Sequence, residues 1–443
     1  MNDRKDSMKK NCLCRWDNYF IVLCSMLAGL LGLYGCGSPS SASFGNISGE
    51  SATEGIFSEK ETPEGKIKDK NYIESAESST FGDSLSEKNK NGTKIDIPGL
   101  TYEKSMELSY AEQFQVDYYQ GGYALLTTVM DGNHFLVVPE GKDVPRGLDE
   151  NIVVIKQPVR NLYLVASSVM DLFAAMDGVN AIAFSGVKEE GWYVDAARTA
   201  MEEGNLVYAG KYNKPDYELL VSRKCSLVIE NTMISHAPEV VEKLKDFGIP
   251  VMIEYSSYES HPMGRVEWIK FFGALLGKEE QAEKIFDEQI SILNQVLTDE
   301  KTDKKVAFFF ITSNGLVQVR QSNDYVPKMI DLAGGNYIFE ELGDPGSRRS
   351  TLNMQQEEFY QGAKDADYLI YNSAIDGGVR SIEELLGKCE LLSDFKAVKE
   401  GHVYCTTRDM YQQSLSTGYL IGDMHGMLQG EDDSEMKYLF HLE

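Results

Sequence analysis

The feature that most constrains this fold is a long helical pattern in the second half of the chain. Apolar residues recur at three- and four-residue spacing from Val266 to Leu297, which predicts a helix of about eight turns. Gly277-Lys278 is a candidate bend within it. Strand-like and helix-like stretches alternate on both sides of this segment. We therefore predict an α/β fold with two α/β lobes joined by a single long helix.

The region before the long helix has two parts. Residues 107–138 contain short strand-like stretches, and Asp131-Gly132 is a predicted hairpin turn between two of them. From residue 161 onward, apolar strands alternate with short helices. Ser168 and Asp171 have the spacing of a capping box, in which two side chains bond the backbone at the start of a helix. The alternation predicts an α/β lobe that is preceded by extra strands.

The region after the long helix shows the same alternation of predicted strands and helices. Residues 305–312 form a predicted buried strand, and Asn314-Gly315 is a hairpin turn that leads to its partner strand. Further strands are predicted at 368–371 and 402–405, with helices between and after them. This pattern predicts the second α/β lobe.

The N-terminus has the pattern of an export signal. Three basic residues (Lys9, Lys10 and Arg15) precede an apolar run from Tyr19 to Leu33, and this run is too short for an ordinary bilayer span. The tetrapeptide that ends at Cys36 resembles the lipobox of bacterial lipoproteins, which implies lipidation of that cysteine. A plain membrane anchor with an incidental cysteine is the alternative. We expect a protein that is lipid-anchored on the extracytoplasmic face of the cell membrane.

The stretch between the lipobox and the folded body differs from both in composition. The stretch after Cys36 is rich in Ser, Glu, Lys, Gly and Asn and lacks apolar periodicity, which is typical of a disordered tether. We predict a signal peptide at 1–35, the lipidated cysteine and tether at 36–98, an N-terminal lobe at 99–263, the linking helix at 264–300 and a C-terminal lobe at 301–443.

The chain is strongly acidic. Its 43 Lys and Arg against 69 Asp and Glu give a formal net charge of −26. Such a chain repels nucleic acid, so we expect no nucleic-acid partner. Cys225, Cys389 and Cys405 are too scattered for a disulfide framework or a zinc site. We predict no resident metal ion and no cofactor.

Several stretches, taken in order, resemble one family of binding proteins. They lie at 159–163, 167–168, 171–176, 332–336, 366–370 and 397–404. Together with the lipobox they are similar to the iron-complex and cobalamin class of substrate-binding proteins of ABC importers, over roughly residue 100 to the C-terminus. The strands at 107–138 lie ahead of the usual start of that family.

The resemblance implies a monomeric, non-enzymatic protein that captures a small metal chelate or corrinoid and delivers it to an ABC permease with its ATPase. Two acidic residues of such proteins dock on the permease, and Glu239 and Glu358 occupy the matching positions, with Glu357 as a neighbouring candidate for the second. First-turn glutamates also simply stabilise helices, which is the alternative for both. An exported enzyme or a surface sensing or adhesion module is the rival class of function.

The loops beyond the carboxyl ends of the strands are expected to line the ligand site, since ligands of open α/β sheets bind there. Arginines with aromatic residues suit a flat or anionic chelate, so we rank a siderophore-type iron chelate above haem or a corrinoid. Arg160, Arg265 and Arg320 are expected to converge on one anion. His236 and His261 both follow strands, and ligation of haem or a metal ion by the two together is an alternative. The candidates are Arg160, Ser168, Trp192, Tyr193, Thr232, His236, Tyr258, Arg265, Arg320, Tyr325, Arg348 and Arg408, many of which could instead be core or rim residues.

Overall fold

The computed structural model describes residues 95–297, 301–343 and 350–443. The predicted signal peptide, the predicted lipidation site Cys36 and almost all of the predicted tether lie outside these ranges, as does Arg348. Within them, no helix is both long and apolar enough to cross a bilayer. The described chain forms an N-terminal sheet followed by two α/β lobes, and the predicted fold class is confirmed.

The N-terminal sheet is mostly antiparallel, and its central strands are buried on both faces. One face, with Phe114 and Leu126, packs on the main core, and the other, with Tyr119 and Leu125, covers a smaller cluster around Ile97. The predicted turn at Asp131-Gly132 is confirmed. The strands are antiparallel except for the last pair, and they are β1 (Tyr102–Ser105), β2 (Phe114–Tyr119), β3 (Tyr123–Thr128), β4 (Asn133–Val138) and β5 (Ile152–Lys156).

The N-terminal lobe is built on a parallel sheet, so the carboxyl ends of its strands share one edge. Its strand order is β12-β11-β6-β7-β8, and β9 and β10 form a separate small ribbon. The elements are β6 (Leu162–Leu164), α1 (Val169–Ala175), β7 (Ile182–Ser185), α2 (Asp195–Glu202), β8 (Val207–Tyr208), β9 (Gly210–Lys211), β10 (Lys214–Pro215), α3 (Tyr217–Ser222), β11 (Leu227–Glu230), α4 (Pro238–Asp246) and β12 (Val251–Ile253).

The prediction of one long linking helix is wrong. The segment forms two helices, α5 (Pro262–Leu276) and α6 (Glu279–Val296). Gly277, at the candidate bend, adopts a left-handed conformation with φ of +69° and ends α5. A Cβ added at Gly273 would lie 2.5 Å from the Cβ of Ala282, so the two helices pack closely just beyond the break. The apolar periodicity continues across the break because both helices bury apolar faces in the same core.

The C-terminal lobe has a mixed sheet. Strands β13, β17 and β18 run parallel, whereas β14 and β19 are antiparallel to their neighbours, and the hairpin predicted at Asn314-Gly315 is confirmed. The elements are β13 (Lys305–Ile311), β14 (Val317–Arg320), α7 (Tyr325–Leu332), β15 (Asn336–Tyr337), β16 (Thr351–Met354), α8 (Gln356–Ala363), β17 (Tyr368–Tyr371), α9 (Ile382–Lys388), α10 (Lys396–Glu400), β18 (Val403–Thr406), α11 (Thr417–Gln429) and β19 (Leu439–His441).

Candidate functional site

The carboxyl edges of the two lobes meet through a loop that follows β18. The buried side chain of Gln412 donates from Nε2 to the carbonyl of Gly191 at 2.8 Å and accepts at Oε1 from the amide of Tyr193 at 2.9 Å. The hydroxyl of Ser414 donates to the carbonyl of Ser168 at 2.9 Å. These bonds join the loops after β6 and β7 to the C-terminal lobe, so the two lobes face one another across this edge.

The capping box predicted at the start of α1 is wrong. Ser168 is buried, has helical rather than extended backbone angles and makes no side-chain cap bond. Asp171 turns instead toward the other lobe, where its Oδ2 accepts from the amide of Leu415 at 2.9 Å. Burial raises the pKa of Asp171 to about 6, although the Leu415 amide opposes this rise. The motif therefore serves the contact between the lobes rather than the helix.

Two buried arginines share one aromatic ring where α5 meets α7. Arg265 lies in the first turn of α5, and its guanidinium carbon is 4.1 Å from the centroid of the Tyr325 ring. The guanidinium carbon of Arg320 lies 6.0 Å from the same centroid. Both arginines are less than a tenth exposed. Guanidinium groups are attracted to aromatic faces at such distances, and their planar fork matches the geometry of planar anions.

Three residues that sequence reasoning missed hold the Arg320 side chain. Its Nη1 lies 3.5 Å from Oδ2 of Asp324, and its Nη2 donates to the hydroxyl of Tyr411. The same hydroxyl accepts from Nδ2 of Asn372 at 2.7 Å. Burial raises the pKa of Asp324, while the neighbouring Arg320 opposes the rise. Asn372 directly follows β17, and this position beyond a strand end could have identified it.

Only two of the three predicted arginines come together. Arg160 is exposed and precedes β6, and its carbonyl accepts from the hydroxyl of Ser226 just before β11, so it lies at the opposite edge of the sheet. The predicted convergence of all three is therefore wrong. The backbone of Arg320 does not lie at the carboxyl edge of the parallel strands. Its strand, β14, runs antiparallel to β13, and its neighbour Val319 pairs with Phe309 in the middle of β13. Its long side chain nevertheless reaches the edge loops.

The remaining candidates in the N-terminal lobe differ in their surroundings. The indole of Trp192 is buried and donates to Oγ of Ser185 at 3.1 Å, which is a core contact. Tyr193 is exposed, and its backbone amide binds Gln412. Thr232, after β11, and Tyr258, after β12, are both half-buried. The ring centroids of Tyr258 and Tyr255 are 5.9 Å apart. His236 is exposed in the loop after β11.

Arg408 is exposed in the loop after β18, and Arg348 lies outside the described residues. Glu239 and Glu358 are both exposed in the first turns of α4 and α8. These helices follow β11 and β16, so both glutamates lie toward the carboxyl edges of their sheets. In the described part of the chain, no group of three His, Cys, Asp or Glu side chains could hold a metal ion.

Residues 164–410 match a family described as "Periplasmic binding protein". This chain belongs to that family. An uncharacterized lipoprotein of Methanocaldococcus jannaschii is 28% identical over 369 residues, which is 80% of this chain and 86% of the relative. A second uncharacterized lipoprotein of that organism is 28% identical over 351 residues, covering 75% of this chain and 86% of the relative.

Solved structures of similar fold include a periplasmic heme-binding protein from Roseiflexus sp. RS-1, with 17% identity and a TM-score of 0.49. The similarity covers 61% of this chain and 98% of that one. A possible iron-binding periplasmic solute-binding protein from Staphylococcus epidermidis has 14% identity and a TM-score of 0.48, covering 60% of this chain and 97% of that one. The family assignment rests on the match over residues 164–410.

Proposed function

We propose that this periplasmic binding protein is the substrate-binding component of an ABC importer and captures a siderophore-type iron chelate for a membrane permease. The observation that carries the ligand class is the pair of buried arginines, Arg265 and Arg320, at the ring of Tyr325. Guanidinium groups bind planar oxygen ligands through two parallel bonds, and an aromatic ring offers a flat apolar surface. Oxygen-rich, flat and anionic chelates suit both features.

The position of this pair fits ligand capture. Arg265 comes from the helix that leaves the N-terminal lobe, and Arg320 comes from the sheet of the C-terminal lobe. A ligand that bonds both groups would engage both sides of the site. The net charge of −26 opposes the approach of an anion, but charges beyond the Debye length of about 8 Å are screened at physiological salt. Within that distance the two arginines attract an anion, and Asp324 beside Arg320 offsets part of their charge.

The proposal places the protein at a membrane. Cys36 would carry the lipid, and two relatives that align over most of their length are named lipoproteins. Glu239 and Glu358 would dock on basic groups of the permease, because both are exposed and lie at the same kind of position on each lobe. A tether between lipid and folded body would let the protein reach the permease while it stays near the membrane.

The proposal is tested by ligand binding to the purified protein. A ferric trihydroxamate, a ferric tricatecholate, hemin and cyanocobalamin are titrated separately, and the metal content of the complex is then measured. We expect tighter binding of a ferric chelate than of hemin or cyanocobalamin, with one iron per chain. Preference for cyanocobalamin would replace the iron chelate with a corrinoid, and chemical conversion of a probe by the protein alone would favour an enzyme.

A further inference from the structure

The N-terminal sheet is fastened to α5 by two buried carboxylates. Glu267 of α5 accepts hydrogen bonds from the backbone amides of residues 109–111, each at 2.8 Å. Glu259, just before α5, accepts from the amides of Glu112 and Gln113 at 2.8 and 3.0 Å. Charge-assisted bonds of this kind are roughly twice as strong as neutral ones. The segment that leads into β2 therefore has a fixed position against the start of α5.

The turn between β3 and β4, residues 129–132, is also held by a carboxylate. The carboxylate of Asp131 accepts from the Thr128 hydroxyl at 2.5 Å and from the amide and side chain of Asn133 at 3.1 and 2.7 Å. It also accepts from the hydroxyl of Tyr255 at 3.2 Å. Tyr255 lies two residues beyond the end of β12. The turn is thus attached to the carboxyl edge of the N-terminal lobe.

This end of the sheet lies close to the buried arginines. The ring of Tyr110 stacks on that of His261, the N-cap residue of α5, with centroids 4.5 Å apart. Burial lowers the pKa of His261, and Lys328 of α7 lowers it further, so α7 of the other lobe is also near. Arg265 follows one turn later on α5 and lies over Tyr325 of α7. The N-terminal sheet therefore borders the junction that carries the candidate site.

We propose that the β3–β4 turn, held by Tyr255, forms a fixed wall of the ligand site and restricts which chelates fit. This inference rests on the proposed function. The family match begins at residue 164, so the wall is an addition to the region that the family shares. An alignment that spans 80% of the chain must include this sheet, so the first Methanocaldococcus relative aligns across it as well. Asp131 acts here as a positioning residue, because its carboxylate is occupied by the turn and by Tyr255.

Two variants and a matched control test the wall with the same four probes. Asp131→Ala frees the turn, Tyr255→Phe removes the hydroxyl that joins the lobe to the turn, and Asp143→Ala alters an exposed acid at the opposite end of the sheet. We expect the first two to change the ratio of Kd values between the largest and smallest bound probes by about tenfold, which is a difference of about 1.4 kcal/mol. The control is expected to leave the ratio unchanged. Hydrogen exchange of amides 129–133 is expected to slow when a probe binds.

The outcomes separate the two claims. Binding by the wild type, with unchanged ratios in both variants and no protection of amides 129–133, would overturn the wall and leave the proposed function standing. Binding of none of the four probes would overturn both. If Asp131→Ala lowers the melting temperature, Tyr255→Phe decides, because it keeps every bond within the turn.

Discussion

Glu230, at the end of β11, carries a fully buried carboxyl group, and no side chain of the described residues forms a hydrogen bond with it. Burial raises its pKa well above the usual value of 4.5. A carboxyl group whose pKa is raised in the folded state stabilises the fold fully below the unfolded pKa, and this contribution is lost as the pH rises through the folded pKa. The wild type should therefore lose this contribution as the pH rises from about 4.5 toward the folded pKa of Glu230.

Glu230→Gln removes the titration while it keeps the size of the side chain. We predict that this variant gains stability relative to the wild type at pH 8 to 9 and gains little or nothing near pH 5. Melting temperatures measured across this range check the prediction. Glu242→Gln, an exposed position on the neighbouring helix α4, is the control and should show no such trend. A Glu230→Gln curve parallel to that of the wild type would contradict a buried titrating group.

At the scale of elements, the attachment of the N-terminal sheet depends on the carboxylate of Glu267. The side chain is fully buried, accepts three backbone amides and lies 3.3 Å from Nζ of Lys270. Glu267→Ala would leave these amides and the Lys270 charge without that partner, and we predict a loss of about 3–5 kcal/mol in the free energy of unfolding.

Urea unfolding measures this loss, and limited proteolysis reports whether residues 106–113 become accessible. Glu283 lies 3.1 Å from the same Lys270 amine but is more than half exposed, so Glu283→Ala is a matched control. An exposed pair contributes about 0–1 kcal/mol, and the control should lose no more than that. Equal losses in the two variants would show that Glu267 does not fasten the sheet.

Local turn chemistry was predictable from the sequence, whereas strand direction was not. Asp131-Gly132 and Asn314-Gly315 were placed correctly, because such pairs favour the φ values of tight hairpins. Gly277 signalled a bend but not whether the helix would curve or stop, since apolar residues continue at helical spacing on both sides. The positions of Arg160 and Arg320 were predicted wrongly. The residues around them do not reveal at which edge of the sheet Arg160 lies or that β14 runs antiparallel.

The candidate site was predictable only in part for the same reason. Arg265 and Tyr325 were separate candidates for the ligand site, and the structure brings them together. Asn372 and Tyr411 come from separate loops, and only the order of the strands in the sheet reveals that they share a partner. Pairing across the lobes, such as Asp171 with Leu415, likewise depends on how the whole chain folds.

At the scale of the whole molecule, the proposed ligand site and the proposed docking residues lie on different surfaces. Glu239 and Glu358 are exposed first-turn residues, whereas the arginine pair is buried. We predict that Glu239→Arg combined with Glu358→Arg keeps ligand affinity and abolishes uptake by cells, because like charges would then face the permease sockets. Uptake of radioactive iron chelate and binding by the purified variant are measured in parallel.

A control for this prediction makes the same change of charge elsewhere. Glu202→Arg combined with Glu383→Arg alters two exposed residues of α2 and α9, helices that are not proposed to dock. This control should transport normally. Normal uptake by the variant at Glu239 and Glu358 would remove the docking assignment, and weakened ligand binding would show that the two surfaces are not separate.

The central claim, capture of an iron chelate by the buried arginines, is tested most directly by the affinity of three arginine variants for the ferric chelate that the wild type binds best. Arg265→Ala and Arg320→Ala should each weaken binding by about tenfold or more, since a lost charge-assisted bond costs about 1.5–3 kcal/mol. Arg160→Ala, at the opposite edge of the sheet, should bind like the wild type. Melting without ligand shows whether each variant is folded. Folded Arg265→Ala and Arg320→Ala proteins that bind the chelate as tightly as Arg160→Ala would contradict the account.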